Sequence, residues 1–164
     1  GKKVLVVCSY NPDEPIKQMI EAAKLVEDVT FYFTGNSRKL APELRELAPD
    51  NLKFTGFVTQ GQYRYLMAHV DAVMALTMRD QTMQRGAWEA SYHARPVVVS
   101  NWPVLREAFN SGGLTVNNTA DEIAAGVKQL FREYERIAAD ATAGRESRIK
   151  SWNQVKKELE TAIS

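Results

Sequence analysis

The feature that most constrains this chain is an alternation of two kinds of segment. Six short runs rich in β-branched and aromatic residues are KVLVVC (3–8), VTFYFT (29–34), NLKFTG (51–56), DAVMALT (71–77), PVVVS (96–100) and GLTVNN (113–118). They are nearly continuous in apolar residues, the pattern of strands covered on both faces. Between them lie segments of helical period: Ile16, Met19, Ile20 and Ala23 share one face, as do Leu40, Leu44 and Leu47, and Tyr63, Leu66, Met67 and Val70. Strand, helix, strand, repeated five times, predicts an α/β fold. The expectation is a Rossmann-like open parallel six-stranded sheet with helices on both faces and right-handed crossovers.

The tail reads as two C-terminal helices. Thr119 and Glu122 stand at capping-box spacing ahead of an apolar stripe of Ile123, Val127, Leu130 and Phe131. Ala143-Gly144 reads as a break. The segment RIKSWNQVKKELETAIS then forms an amphipathic helix with Ile149, Trp152, Val155 and Leu159 on one side. No low-complexity linker interrupts the chain, so residues 1–164 read as a single domain, long enough to bury a full core.

Composition excludes several functions. With 21 basic and 20 acidic residues, the chain lacks the basic excess of a nucleic-acid binder. Its apolar runs are too short to span a bilayer, and it shows no signal peptide. A lone cysteine, Cys8, rules out a disulfide framework or thiolate zinc cluster and suits a reducing compartment. It reads as a small buried residue at a strand end, not as a nucleophile. His69 and His93 have no matching ligand spacing, so no metal is expected. Dinucleotide, P-loop and nucleophile-elbow motifs are all missing from the sequence.

In sheets of this kind ligands bind at the carboxyl ends of the strands. The loops there begin at Ser9, Gly35-Asn36, Gly56-Phe57-Val58, Met78 and Asn101, each also readable as an ordinary strand-to-helix turn. The fourth, MRDQTMQRGAWE, is dense in polar residues. Its helix is expected to start around Gln81 to Gln84, leaving amides without intrahelical partners, a place for phosphate. Arg85 would add charge, Gly86 would spare room for a ligand or a strand, and Glu89 would accept a pair of ribose hydroxyls. The competing reading is that Asp80 caps this helix and Arg85 pairs with Glu89 at the surface.

The landmarks FYFTGN, NLKFTGFVTQGQYRYLMAHVDAVMALT, GAWEASYHARPVVVSN and GLTVNNTADEIAAGVKQL, in this order, resemble the C-terminal domain of GT-B-fold retaining glycosyltransferases of group 1, or family four. The resemblance covers nearly the whole chain. It implies a donor site for a nucleoside-diphosphate sugar, bound as a substrate with no permanent cofactor. By that resemblance Phe57 and Val58 hold the base, bordered by Gly35 and Asn36, with Ser9 nearby. Glu89 is the second glutamate of the family's Glu-x7-Glu motif and takes the ribose. Thr82, Met83, Gln84 and Arg85 receive the diphosphate and sugar. The first glutamate falls on Gln81, with Asp80 beside it, so the resemblance makes Asp80, Gln81 and Glu89 the catalytic candidates. Tyr10 and Glu14 stand where the family's Arg and Lys follow the first strand. The resemblance also implies an N-terminal acceptor domain outside these 164 residues, a cytoplasmic enzyme of glycan or polysaccharide biosynthesis, and room for peripheral membrane contact through that domain. A nucleotide-sugar epimerase of the same fold, a binding module that has lost its donor, and, last, a response-regulator domain are the alternatives.

Overall fold

The computed structural model describes all residues, 1–164. Six parallel strands, β1 (Lys2–Val6), β2 (Val29–Thr34), β3 (Leu52–Gly56), β4 (Ala72–Ala75), β5 (Val97–Ser100) and β6 (Gly113–Val116), form one sheet in the order β3-β2-β1-β4-β5-β6. The expected open parallel sheet is therefore present, and its strand order reverses between β1 and β4. Successive residues of β1 serve opposite faces: Val4 and Val6 join one apolar cluster, Leu5 the other. The first cluster is covered by α1 (Ile16–Lys24), α2 (Pro42–Glu46) and α6 (Ala120–Arg132). The second is covered by α3 (Gln60–His69), α4 (Arg85–Tyr92) and α5 (Pro103–Ala108). With both faces covered, β4 and β5 are buried at every position, which is why they read as unbroken apolar runs.

Several boundaries differ from the sequence reading. The Leu40-Leu44-Leu47 stripe is not one helix. Ser37–Lys39 make a 3-10 turn, and α2 spans only Pro42–Glu46, because Pro42 sets a helix start after Leu40. The last helix, α7, runs unbroken from Tyr134 to Ile163, with no interruption at Ala143-Gly144; the break falls at Glu133 instead. Gly144 is small for another reason. A Cβ there would lie 3.0 Å from the Ser111 hydroxyl oxygen, so the glycine lets α7 press against the turn before β6. The cap of α6 is as read at Thr119, whose hydroxyl accepts the Glu122 amide at 3.3 Å. The Glu122 carboxylate, however, accepts the Asn117 amide at 3.2 Å. No helix is long and apolar enough to cross a membrane.

The carboxyl edge of the sheet is tied by a polar network centred on buried Thr77. Its amide donates to the Ser100 hydroxyl (2.9 Å), and its carbonyl accepts from Trp102 Nε1 and Asn118 Nδ2 (both 2.9 Å). Ser100 in turn donates to Asn118 Oδ1 at 2.7 Å. Three successive strand ends are thus held in register through Thr77 and Ser100, both fully buried, and the half-buried Trp102 and Asn118.

Candidate functional site

A cleft of about 830 Å³ opens at the carboxyl edge beside β1 and β4, where strand order reverses. One wall is the β1–α1 loop, through Ser9, Asn11, Asp13 and Glu14; another is the start of α4, through Gln84, Arg85, Gly86 and Glu89. Phe57 and Val58, leading into α3, form the third side with Tyr63, Arg64 and Met67. This volume suits a small-molecule ligand with several polar groups.

The α4 start is built to face the cleft. Gln84 is the N-cap but gives no side-chain hydrogen bond, and the amides of Arg85, Gly86 and Ala87 find no acceptor in the protein. Three N–H groups and the positive end of the helix dipole therefore point outward, toward any anion in the cleft. Gly86 allows this placement: a Cβ there would come within 2.8 Å of Val7 Cβ and Cγ1, so the glycine seats α4 directly on the end of β1. Arg85 and Glu89 form an ion pair, Nε to Oε1 at 2.9 Å, one turn apart. The arginine side chain is 91% exposed and the carboxylate 33%, so Arg85 is free to leave while Glu89 stays in the wall. Burial first, then the neighbouring Glu89 carboxylate, push the Tyr63 phenol above its ordinary range.

The other walls are equally fixed. Phe57 is 87% exposed at the mouth, held by α3, whose Thr59 hydroxyl accepts the Gln62 amide (3.2 Å) while Gln62 Oε1 accepts the Thr59 amide (2.9 Å). Glu14 folds back to accept the Ser9 amide at 3.0 Å and the Asn11 amide at 2.8 Å, around Tyr10 at φ 59°. The loop is also tied to β4, since Asp13 accepts the Thr77 hydroxyl at 3.3 Å. Cys8 is buried, its thiol donating to the Thr34 carbonyl at 3.2 Å. Burial, above all, and the Glu14 charge push that thiol up to about 12, so it stays protonated and inert at neutral pH.

Of the residues singled out in the sequence, Ser9, Phe57, Val58, Gln84, Arg85 and Glu89 meet in this cleft. Asp80, Gln81, Thr82 and Met83 do not line it. The helix starts at Arg85, four residues later than the earliest position read from sequence, and the segment before it is an exposed turn. In that turn Gln81 has φ 60° and donates its amide to Asp80 Oδ1 at 2.7 Å, so Asp80 caps its own neighbour and not the helix. Gly35 and Asn36 also lie outside the lining. Gly35, at φ 89°, leaves space for the Cys8 carbonyl, and Asn36 Oδ1 accepts the Arg38 amide at 3.2 Å. Sequence reasoning had Asp13 only within the polar turn after the first strand, weighed His93 only as a metal ligand and passed over Gln60, Tyr63, Arg64 and Met67; the fold brings all six to the cleft. Tyr63 and Met67 had the spacing of a core stripe, and only the helix position reveals that this stripe ends in the cleft wall.

Residues 1–133 match the family model described as "Glycosyl transferases group 1". The chain belongs to that family. This group 1 chain also shares its fold with solved structures of low sequence identity. HepE from Anabaena, in complex with UDP and glucose, superposes with TM-score 0.78 at 19% identity, over 96% of this chain and 48% of that one. A glycosyltransferase from Rickettsia africae gives TM-score 0.81 at 15% identity, over 98% and 46%. A UDP-N-acetylglucosamine 2-epimerase assignment from Listeria monocytogenes, itself described as putative, gives TM-score 0.64 at 17% identity, over 86% and 39%. This group 1 chain therefore spans about half the length of HepE and of the Rickettsia glycosyltransferase. No curated protein matches the sequence.

Proposed function

We propose that this group 1 domain binds the donor of a retaining glycosyltransferase, which moves a sugar from a nucleoside diphosphate to an acceptor in glycan or polysaccharide biosynthesis. The observation that carries the reading is the uncapped start of α4: three free amides and Arg85 at one wall of a ligand-sized cleft, with Glu89 one turn deeper. The diphosphate sits on those amides, which stabilise its charge as it departs. Glu89 takes the ribose hydroxyls once Arg85 swings from it to phosphate. Phe57 and Val58 face the base from the mouth of the cleft, near Gly35 and Asn36. The exposed turn at Asp80, Gln81, Thr82 and Met83 reaches the sugar from beside the helix start, with Asp80 or Gln81 taking the role of the family's first glutamate. The UDP and glucose named for HepE support this assignment of ligand class. Acceptor binding, and a large share of catalysis, belong to an N-terminal domain of the same enzyme. The domain alone binds donor and transfers little, and the enzyme works in the cytoplasm, where that second domain is free to meet a membrane-borne acceptor.

An NMR titration with UDP, GDP and ADP in parallel tests this. The expected result is shifts of the Phe57, Val58 and Arg85 to Ala87 amides with one nucleotide, which also names the base. Flat spectra with all three at millimolar concentration would sink the donor reading in favour of a module that has lost its ligand. The likeness to the Listeria epimerase gives a second reading. Epimerisation of a nucleotide sugar by the full-length protein, with no acceptor present, decides for it.

A further inference from the structure

The cleft contains a second place shaped for an anion, and a residue of the chain already fills it. In the β1–α1 loop the amides of Ser9 and Asn11 flank Tyr10, whose φ of 59° turns both N–H groups to the same side. Convergent amides around a left-handed residue make a concavity that attracts anions. Here both donate to the Glu14 carboxylate, at 3.0 Å to each oxygen from Ser9 and 2.8 Å from Asn11. Ser9, Asn11 and Glu14 all line the cleft, as do Arg85 and Gly86 at the start of α4. Desolvation disfavours the Glu14 charge and the two amides favour it, with desolvation the larger, so its carboxyl lies above the ordinary range.

We infer that Glu14 decides where the donor's phosphates sit. Its carboxylate occupies the amide pair of the β1–α1 loop, excludes phosphate from that loop by charge and by occupancy, and confines a bound diphosphate to the start of α4. Asp13, next in the chain and also lining the cleft, adds a second negative charge on the same wall. The only basic side chains among the cleft residues, Arg64 and Arg85, with His93, stand on the α3 and α4 side. The β1–α1 side thus carries two carboxylates and no basic side chain, while the α3 and α4 side carries both arginines, with Glu89 as its one carboxylate. This inference rests on the donor-site reading, since it concerns the ligand of the same cleft.

The test uses the 164-residue chain labelled with 15N, inorganic pyrophosphate as the probe, and UDP as a separate arm. In the wild type, pyrophosphate is expected to shift the amides of Arg85, Gly86 and Ala87 and to leave those of Ser9 and Asn11 in place. Glu14→Ala empties the loop. Pyrophosphate should then shift Ser9 and Asn11 as well and bind roughly tenfold tighter, the effect of removing one like charge a few ångströms away. Glu14→Gln keeps an oxygen to accept the two amides and loses only the charge, so it too should bind pyrophosphate more tightly, with the loop resonances little changed. Wild-type Ser9 and Asn11 amides that shift at the same pyrophosphate concentration as Gly86 would overturn the inference. So would a Glu14→Gln protein that binds pyrophosphate no tighter than the wild type, because Glu14 would then only position the loop. The UDP arm on the wild type reports separately: if UDP shifts nothing while Glu14→Gln still tightens pyrophosphate, the donor reading fails and the role of Glu14 in anion placement stands.

Discussion

At the scale of single residues, the site depends on what is absent. Gly86 costs helix stability relative to alanine, and its place is explained by Val7, whose Cβ and Cγ1 would lie 2.8 Å from any added methyl. Those atoms are at the root of a β-branched side chain and have little freedom to move aside. Gly86→Ala is therefore expected to destabilise the domain by about 1–3 kcal/mol, as overpacking does. Urea denaturation measures it, and because the Val7 Cβ itself is in the way, the Val7→Gly/Gly86→Ala double variant should lose less stability than the sum of the two single changes. A single Gly86→Ala protein as stable as the wild type would mean that α4 does not bear on β1. The sequence made it legible that Gly86 spares room, but not for what. A glycine in a helix signals a close approach, and only the sheet topology shows that the neighbour is Val7.

At the scale of elements, the carboxyl edge is where local sequence and tertiary context part company. Strand identities were legible because burial on both faces demands apolar runs, and the Thr119 cap was legible because its bond partner lies three residues away. The start of α4 was not. Asp80, Gln81 and Thr82 have the residue types of a helix cap, yet Gln81 takes φ 60° and the helix waits until Arg85. What holds the preceding turn away from helix is in part nonlocal: the Met78 amide donates to the Asp13 carbonyl at 2.6 Å, while next to it Arg79 donates its amide to Thr77 Oγ1 at 3.1 Å. Thr77 is in turn the hub that joins β4, β5 and the residues after β6. Removing Asn118, 41 residues away in sequence, takes one donor from the Thr77 carbonyl and the acceptor from Ser100. Asn118→Ala is expected to cost about 1–3 kcal/mol, the range for leaving one buried polar group, the Ser100 hydroxyl, without its acceptor, while the Thr77 carbonyl keeps Trp102 Nε1. It should also speed amide exchange in the Met78–Gln84 turn, measured by hydrogen exchange at equal denaturant distance from the midpoint. Unchanged protection of that turn would show that the network does not hold the α4 start.

At the scale of the whole molecule, α7 divides into a half that belongs to the domain and a half that does not. Its first half is anchored: Ile137 and Ala141 are buried, Tyr134 Oη donates to the Asp71 carbonyl at 3.0 Å, and the Arg148 guanidinium lies 4.8 Å from the centre of the Trp88 ring while donating to the Ala108 carbonyl at 2.6 Å. From Lys150 onward every residue is exposed, including Trp152 at 58%, Leu159 at 53% and Ile163 at 84%. An apolar stripe on a helix signals a surface to be covered, and the sequence showed the stripe clearly. It did not show that the rest of this domain leaves most of the stripe uncovered, since Ile149, Trp152, Val155 and Leu159 have the same spacing whichever body they meet. The two halves give opposite expectations. A chain ending at Lys150 should keep its midpoint temperature within a degree or two, because no buried contact is lost and exposed residues contribute little. A chain ending at Glu133 loses the burial of Ile137, worth about 1.5–3 kcal/mol, along with that of Ala141 and the anchors of Tyr134 and Arg148. Its midpoint should fall by roughly 5–10 °C, at about 2–4 °C per kcal/mol for a chain of this size. Thermal unfolding of the two truncations side by side settles it. A large drop on removing only residues 151–164 would mean that the distal half packs on this domain after all. A neutral result leaves its apolar face free for the N-terminal half proposed for the enzyme, whose addition should then shift Trp152 fluorescence to the blue.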